Sequence, residues 1–212
     1  MSAPYTADDF QHDSGVSRET RTQLERYIAL LKHWQRRINL VGMSTLDDIW
    51  CRHVLDSAQL LDLAPRRSAD KPPQCWTDLG SGAGFPGLVL AILGAGEVHL
   101  IESDARKCAF LREAARVTAC PVTIHNARIE RLTPWLSDVI TARALAPLPR
   151  LLALARPFAR AGTVVLVPKG RNLAAELTEA TKSWTIACDL VPSRTAPASR
   201  ILRISDFESV RS

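Results

Sequence analysis

Cysteine is scarce in this 212-residue chain, with five residues in all. Cys51, Cys75, Cys108, Cys120 and Cys188 are odd in number, and no two stand at the short spacing that zinc sites or redox pairs need. That excludes a disulfide framework, and the five read as buried thiols of a reducing compartment. The histidines, His12, His33, His53, His99 and His125, never form His-x-x-x-His on a helical face, so no metal site is expected. An apolar leader is also missing: Met1 to Asp9 is acidic, without the h-region of a signal peptide or the Arg richness of a transit peptide, so the protein is expected to be cytoplasmic. The one long uncharged run, 79–96, holds six of the ten glycines plus Pro86, which suits a loop feeding a short buried helix rather than a membrane span. Charge of one sign is not dominant. Lys and Arg number 27 against 22 Asp and Glu, and the net +5 favours a polyanionic partner while equally serving solubility.

Hydrophobic residues make up 46% and charged residues 23% of the chain, enough for a sizeable core and against overall disorder. Residues 1–16 carry no period and are expected to be a flexible tail. From Ser17 onward, Leu24, Tyr27, Ile28, Leu31, Trp34 and Ile38 recur at helical spacing, which predicts an amphipathic helix with a basic outer side. Thr45 to Asp48 offers a capping-box-like start for a second helix reaching about Asp62. A linker over 65–73 carries Arg66, Arg67 and Lys71. Beyond it, short apolar runs alternate with helical segments. They predict strands at 75–79, 98–102, 122–125, 139–142, 163–167, 185–191 and 201–205, with helices at 86–93, 104–118, 148–158 and 173–182. Right-handed crossovers then give an α/β, Rossmann-like fold: a seven-stranded, mostly parallel sheet with two N-terminal helices prepended. The expected division is a helical extension over 17–64 and a core over 74–212 within one domain.

The chemistry concentrates in Trp76-Thr-Asp-Leu-Gly-Ser-Gly-Ala-Gly-Phe-Pro-Gly87, where a strand ends and a glycine-rich turn enters a helix. Glycines let the backbone approach a ligand closely, and a helix start offers free N–H donors. Gly82 to Gly87 formally satisfies G-x-G-x-x-G, so a dinucleotide must be considered. Asp78 at the strand end suits a cationic ligand better than a pyrophosphate, and S-adenosylmethionine has an ammonium and a sulfonium but no phosphate. The next strand ends in Glu102, about 20 residues on, where an acid accepts hydrogen bonds from ribose hydroxyls, with Ser103 beside it; the same acid could instead serve the start of the following helix.

Four stretches together, Arg52-His-Val-Leu-Asp-Ser57, Asp78 to Gly87, Thr141-Ala-Arg-Ala144 and Pro168-Lys-Gly170, closely resemble the RsmG (GidB) family of small-subunit ribosomal RNA guanine-N7 methyltransferases. The resemblance implies the Rossmann-like S-adenosylmethionine-dependent methyltransferase fold and transfer of a methyl group to N7 of a guanine in 16S ribosomal RNA. It also implies that Gly80, Phe85, Ile129, Glu130 and Arg143 contact the cofactor, joining Gly82, Glu102 and Ser103. Ile129 equally fits core packing, Glu130 a solvated pair with Arg131, and Arg143 either a methionine carboxylate or an RNA phosphate.

After the fourth strand, Ala142-Arg-Ala-Leu-Ala146 lacks the Asn/Asp-Pro-Pro-aromatic motif of exocyclic-amine methyltransferases and the nucleophilic Cys of pyrimidine-C5 enzymes. Guanine N7 has a lone pair and no proton to lose, so no catalytic acid or base is expected. Candidate RNA contacts are Lys169, which follows an apolar strand, and Arg171, together with Arg36, Arg37, Arg52, Arg66 and Arg67. His53 and Asp56 share a helix face, as a substrate-facing pair or as a packing contact. The expected partner is ribosomal RNA or the small subunit, bound by a monomer, with no metal and no membrane. Two rival readings remain, a NAD(P)-binding Rossmann oxidoreductase and a non-catalytic RNA-binding assembly factor.

Overall fold

The structure, a computed structural model, describes residues 4–66 and 72–210. Arg67 and Lys71 of the linker lie outside the described residues. The segment expected to be a flexible tail instead forms α1 (Ala7–Ser14). Both ends are capped: Thr6 and Asp9 close a capping box, and Gly15 takes a left-handed conformation at the end. Its one buried residue, Phe10, packs against the Trp50 ring at 5.7 Å, and Arg21 pairs with Asp8. A helix with one large apolar residue in eight shows no period, but its caps and a single anchor suffice.

α2 (Arg18–Gln35) is capped by Ser17 and buries Leu24, Tyr27, Ile28 and Leu31, as its stripe predicts. The continuous helix expected from Thr45 does not form. A 3₁₀ turn at Met43–Thr45 is followed by a π-helical turn at Trp50–Leu55, which runs into α3 (Asp56–Ala58), and by a further 3₁₀ turn at Leu61–Leu63. The Thr45 hydroxyl serves other partners: it donates to the Gly42 carbonyl at 2.7 Å and accepts from His53 Nε2 at 2.8 Å.

The sheet contains β1 (Cys75–Leu79), β2 (Glu97–Glu102), β3 (Thr123–Asn126), β4 (Ser137–Ala142), β5 (Ala159–Lys169), β6 (Trp184–Pro192) and β7 (Arg200–Ser209). Their order is β3-β2-β1-β4-β5-β7-β6, with β1 to β5 parallel and β7 antiparallel to both neighbours. The connecting helices are α4 (Gly87–Ile92), α5 (Ala105–Thr118), α6 (Leu148–Ala155) and α7 (Leu173–Ala180). Helices on both faces explain why inner strands read as continuous apolar runs, such as the buried Val164 to Val167. One core joins α1, α2, α4 and α5 to the sheet through Leu24, Tyr27, Leu88, Leu100 and Phe110; the other joins α6 and α7 through Leu151, Phe158, Val165 and Leu202.

Two features place the site. The strand order reverses at β1, which pairs with β2 on one side and β4 on the other, and such a switch point opens a crevice at the strands' carboxyl ends. The prepended α2 reaches that crevice: the buried Tyr27 hydroxyl donates to the Ala83 carbonyl at 2.5 Å, so the helical extension holds the glycine loop directly.

Candidate cofactor and substrate cavities

A cavity of about 610 Å³ opens at the switch point, within the size range of small-molecule sites. All eight residues expected to meet the cofactor line it: Gly80, Gly82, Phe85, Glu102, Ser103, Ile129, Glu130 and Arg143. They converge because each lies at or just after the end of β1, β2, β3 or β4. Gly80 has φ +70°, which favours glycine, and a Cβ there would stand 2.6 Å from the tip of the Leu145 side chain.

Glu102 does two things at once. One carboxylate oxygen accepts from the Gly82 N–H at 2.9 Å and the other from the Asp104 N–H at 2.8 Å, tying the glycine loop to the start of α5. The cap of α5 itself is Asp104, whose side chain accepts from the Arg106 and Lys107 N–H groups. A carboxylate has about four acceptor positions, so Glu102 keeps two for a ligand. Glu130 is exposed and pairs with Arg150 at 3.5 Å, not with Arg131, and Ile129 both lines the cavity and packs on the core.

Asp78 does not face a ligand. It is 1% exposed and does not line the cavity; its oxygens accept from the Thr141 hydroxyl at 2.8 Å and the Gly87 N–H at 3.2 Å. The carboxylate anchors the far end of the glycine loop between β1, β4 and α4.

A second, smaller cavity of about 420 Å³ adjoins the first and shares Leu40, Arg143 and Ala144 with it. His53, Asp56 and Lys169 line it, as does Arg52. Arg171 lines neither cavity and is exposed, so the structure does not bring it to the site. Arg36, Arg37 and Arg66 are likewise exposed and outside both linings. Lys169 is not a free cation: its Nζ lies 2.6 Å from Glu176 Oε2. Thr45, Ser193, Thr195 and Arg200 also line the wall and were missed, because the hairpin of β6 and β7 delivers three of them from the far end of the sequence.

Arg143 sits on the boundary. Its Nη2 donates to His53 Nδ1 at 2.8 Å, Nη1 donates to the Arg52 carbonyl at 3.3 Å, and the guanidinium lies 5.1 Å from the Phe85 ring centre. Because Arg can only donate, His53 Nδ1 is the acceptor, so Nε2 carries the proton and donates to Thr45, which donates onward to Gly42. Burial, with the Arg143 and Arg52 charges behind it, pushes the His53 pKa down to about 3, so this imidazole stays neutral. His53 and Asp56 do not bond to each other: His53 is held by Thr45 and Arg143, Asp56 by Thr195 and Gln59, and both line the smaller cavity.

Burial drives Asp78 the other way, up to about 6, against hydrogen bonds that favour the ion. The two shifts oppose each other in acid. Below pH 6.5 the unfolded chain protonates His53 and the folded one does not, which lowers stability; between pH 6 and 4 the folded chain protonates Asp78 and the unfolded one does not, which raises it. Asp78→Asn removes the compensation. Its unfolding free energy is expected to fall about 1.4 kcal/mol per pH unit more steeply than wild type between pH 6 and 4 in denaturant titrations. Equal slopes would show that Asp78 does not hold that proton.

Comparison with known proteins matches this architecture. A family model described as rRNA small subunit methyltransferase G matches residues 20–197. The ribosomal RNA small subunit methyltransferase G of Rhodospirillum centenum is 55% identical over 203 residues, covering 96% of this chain and 92% of that protein. Its counterpart in Rhodospirillum rubrum is 54% identical over 202 residues, covering 95% and 98%. Among solved structures, M. jannaschii TYW2 in complex with AdoMet superposes with TM-score 0.57 at 12% identity, over 82% of this chain and 80% of that one. A TehB-like SAM-dependent methyltransferase from Corynebacterium glutamicum gives TM-score 0.57 at 14% identity, over 84% and 98%. These two share the fold, a Rossmann-like methyltransferase sheet. With the family match spanning most of the chain and relatives identical at half of all positions, this protein belongs to the rRNA small subunit methyltransferase G (GidB) family.

Proposed function

We propose that this protein transfers the methyl group of S-adenosylmethionine to N7 of a guanine in 16S ribosomal RNA. The observation that carries the reading is the pair of cavities meeting at Arg143, one lined by the glycine loop and Glu102, the other by Arg52, His53, Asp56 and Lys169. The larger cavity fits the cofactor in its donor set: the two free acceptor positions of Glu102 suit ribose hydroxyls, and Phe85 and Ile129 supply apolar surface. When bound, S-adenosylmethionine supplies an electrophilic methyl group on a sulfonium.

The guanine N7 lone pair forms the new N–C bond while the C–S bond breaks and its electron pair goes to sulfur. No proton leaves, so no base is needed. His53 in particular is not free to act as one: both ring nitrogens are already committed, Nδ1 to Arg143 and Nε2 to Thr45, and the ring stays neutral. The protein's contribution is alignment and an electrostatic setting that accepts a cationic methylguanine, which Asp56 at the cavity wall assists. Access to a base in folded RNA requires an exposed loop or an extruded nucleotide, at a few kcal/mol.

Labelled S-adenosylmethionine incubated with unmodified small subunits and with free 16S RNA tests the reading. Label is expected at one guanine, located by the chain cleavage that N7-methylguanine permits. Cofactor binding without transfer to either substrate refutes the RNA assignment, and absence of cofactor binding favours the assembly-factor reading.

A further inference from the structure

Among the described residues, Asp56 is the one carboxylate lining the smaller cavity. Its Oδ1 is fully engaged, accepting from Thr195 Oγ1 at 2.9 Å and Gln59 Nε2 at 3.0 Å. Gln59 is in turn held by Ser193 Oγ at 3.2 Å and the Arg194 N–H at 2.9 Å, so α3 and the loop between β6 and β7 fix the carboxylate together. Oδ2 is different. Its nearest charged neighbour, Arg143 Nη1, stands at 3.7 Å, beyond hydrogen-bond length. A pre-positioned acceptor with unspent lone pairs therefore lies in the cavity wall beside a guanidinium with unspent N–H groups. Arg143 has five N–H donors and gives one each to His53 and the Arg52 carbonyl.

The order of these groups matches the order of groups around one nucleobase. Along the edge of guanine run the N2–H and N1–H donors, then the O6 acceptor, then N7. Across the site run the acceptor Asp56 in the smaller cavity, the donor Arg143 on the boundary, and then the larger cavity. We propose that the smaller cavity is a guanine-reading site in which Asp56 Oδ2 accepts from N1–H and N2–H while Arg143 donates to O6, leaving N7 toward the larger cavity. The proposal rests on the methyl-transfer reading above and adds how the base is chosen. Adenine is rejected twice: its N1 lone pair faces the carboxylate and its amino group faces the guanidinium, and a site built for hydrogen bonds discriminates strongly when they are left unmade.

Inosine lacks only the N2 amino group and isolates one of these contacts. Small-subunit RNA carrying guanosine or inosine at the methylated position is assayed with wild type and Asp56→Asn. Wild type is expected to lose about 10- to 100-fold in kcat/KM on inosine, the effect of one hydrogen bond to a charged group. Asp56→Asn presents a donor toward donors, so it is expected to lose about 100-fold on guanosine and to discriminate less than about threefold between the two RNAs. An unchanged melting temperature and unchanged cofactor affinity verify that the variant folds. Equal wild-type rates on guanosine and inosine overturn the site alone, and so does full discrimination retained by Asp56→Asn. Absence of wild-type transfer to the guanosine RNA overturns the reaction itself, and the site with it. The wild-type ratio decides the matter if the variant does not fold.

Discussion

Arg143→Ala is expected to lower kcat/KM for methyl transfer by about 10²–10³-fold, the range found when one pre-positioned donor is removed from a reacting centre. The loss is large because three groups depend on this guanidinium. His53 Nδ1 loses its donor, Asp56 loses the opposite charge nearest its free oxygen, and the Phe85 ring loses the cation over its face. Cofactor affinity measured without RNA then separates the two roles open to the residue. An O6 contact requires that affinity to stay within about threefold while transfer collapses. A much weaker affinity would instead put the guanidinium on the methionine carboxylate. Arg143→Lys is expected to remain impaired by more than about tenfold, since it restores charge but not the planar fork that serves His53, a backbone carbonyl and a ligand together. Transfer at the wild-type rate in the Ala variant would remove Arg143 from the site.

Gly80→Asp is expected to weaken S-adenosylmethionine binding by more than about 100-fold. The residue has φ +70°, which Asp tolerates better than most side-chain-bearing residues, but its Cβ would stand 2.6 Å from Leu145 Cδ1 and push that side chain aside. Leu145 lines the same cavity, so the displaced side chain and the new carboxylate would both intrude on it. Gly15→Asp is the matched control. Gly15 has nearly the same φ, +67°, but nothing lies within 4 Å of its Cβ and it lines neither cavity. Titration calorimetry should therefore find wild-type affinity in the control and none measurable in Gly80→Asp. Equal affinities for the two variants would refute the role of the glycine loop.

That the eight candidate residues line one cavity was legible in the sequence because its parts are local. Each of its strand-to-loop junctions announces itself within a dozen residues, and a parallel sheet brings all such junctions to one edge. What escaped reading was of two physical kinds. One is orientation: a carboxylate at a strand end is visible at Asp78, but not that it turns onto Gly87, whose missing Cβ would come within 2.7 Å of it. The other is distance along the chain. Thr195 meets Asp56 across 139 positions, and Glu176 neutralises Lys169 from the next helix, and neither pairing leaves a periodic trace. α1 falls between these cases, since its capping residues were in view but its eight residues hold a single apolar anchor. Thr45 suggested a helix cap and instead serves His53, a competition between side chain and backbone that sequence pattern does not decide.

The strand order also sets a sequence of assembly. β7 lies between β5 and β6, so β6 has no neighbour in the sheet until β7 has been made. Every residue lining the larger cavity falls within 40–154, while the smaller cavity needs Ser193 to Arg200 for its wall. A chain emerging from synthesis can thus complete its larger cavity while the wall of the smaller one is still unmade, and the final hairpin docks onto β5 as one unit to close the second cavity. The carboxylate proposed to read the base thus gains its Thr195 partner only once that hairpin is in place.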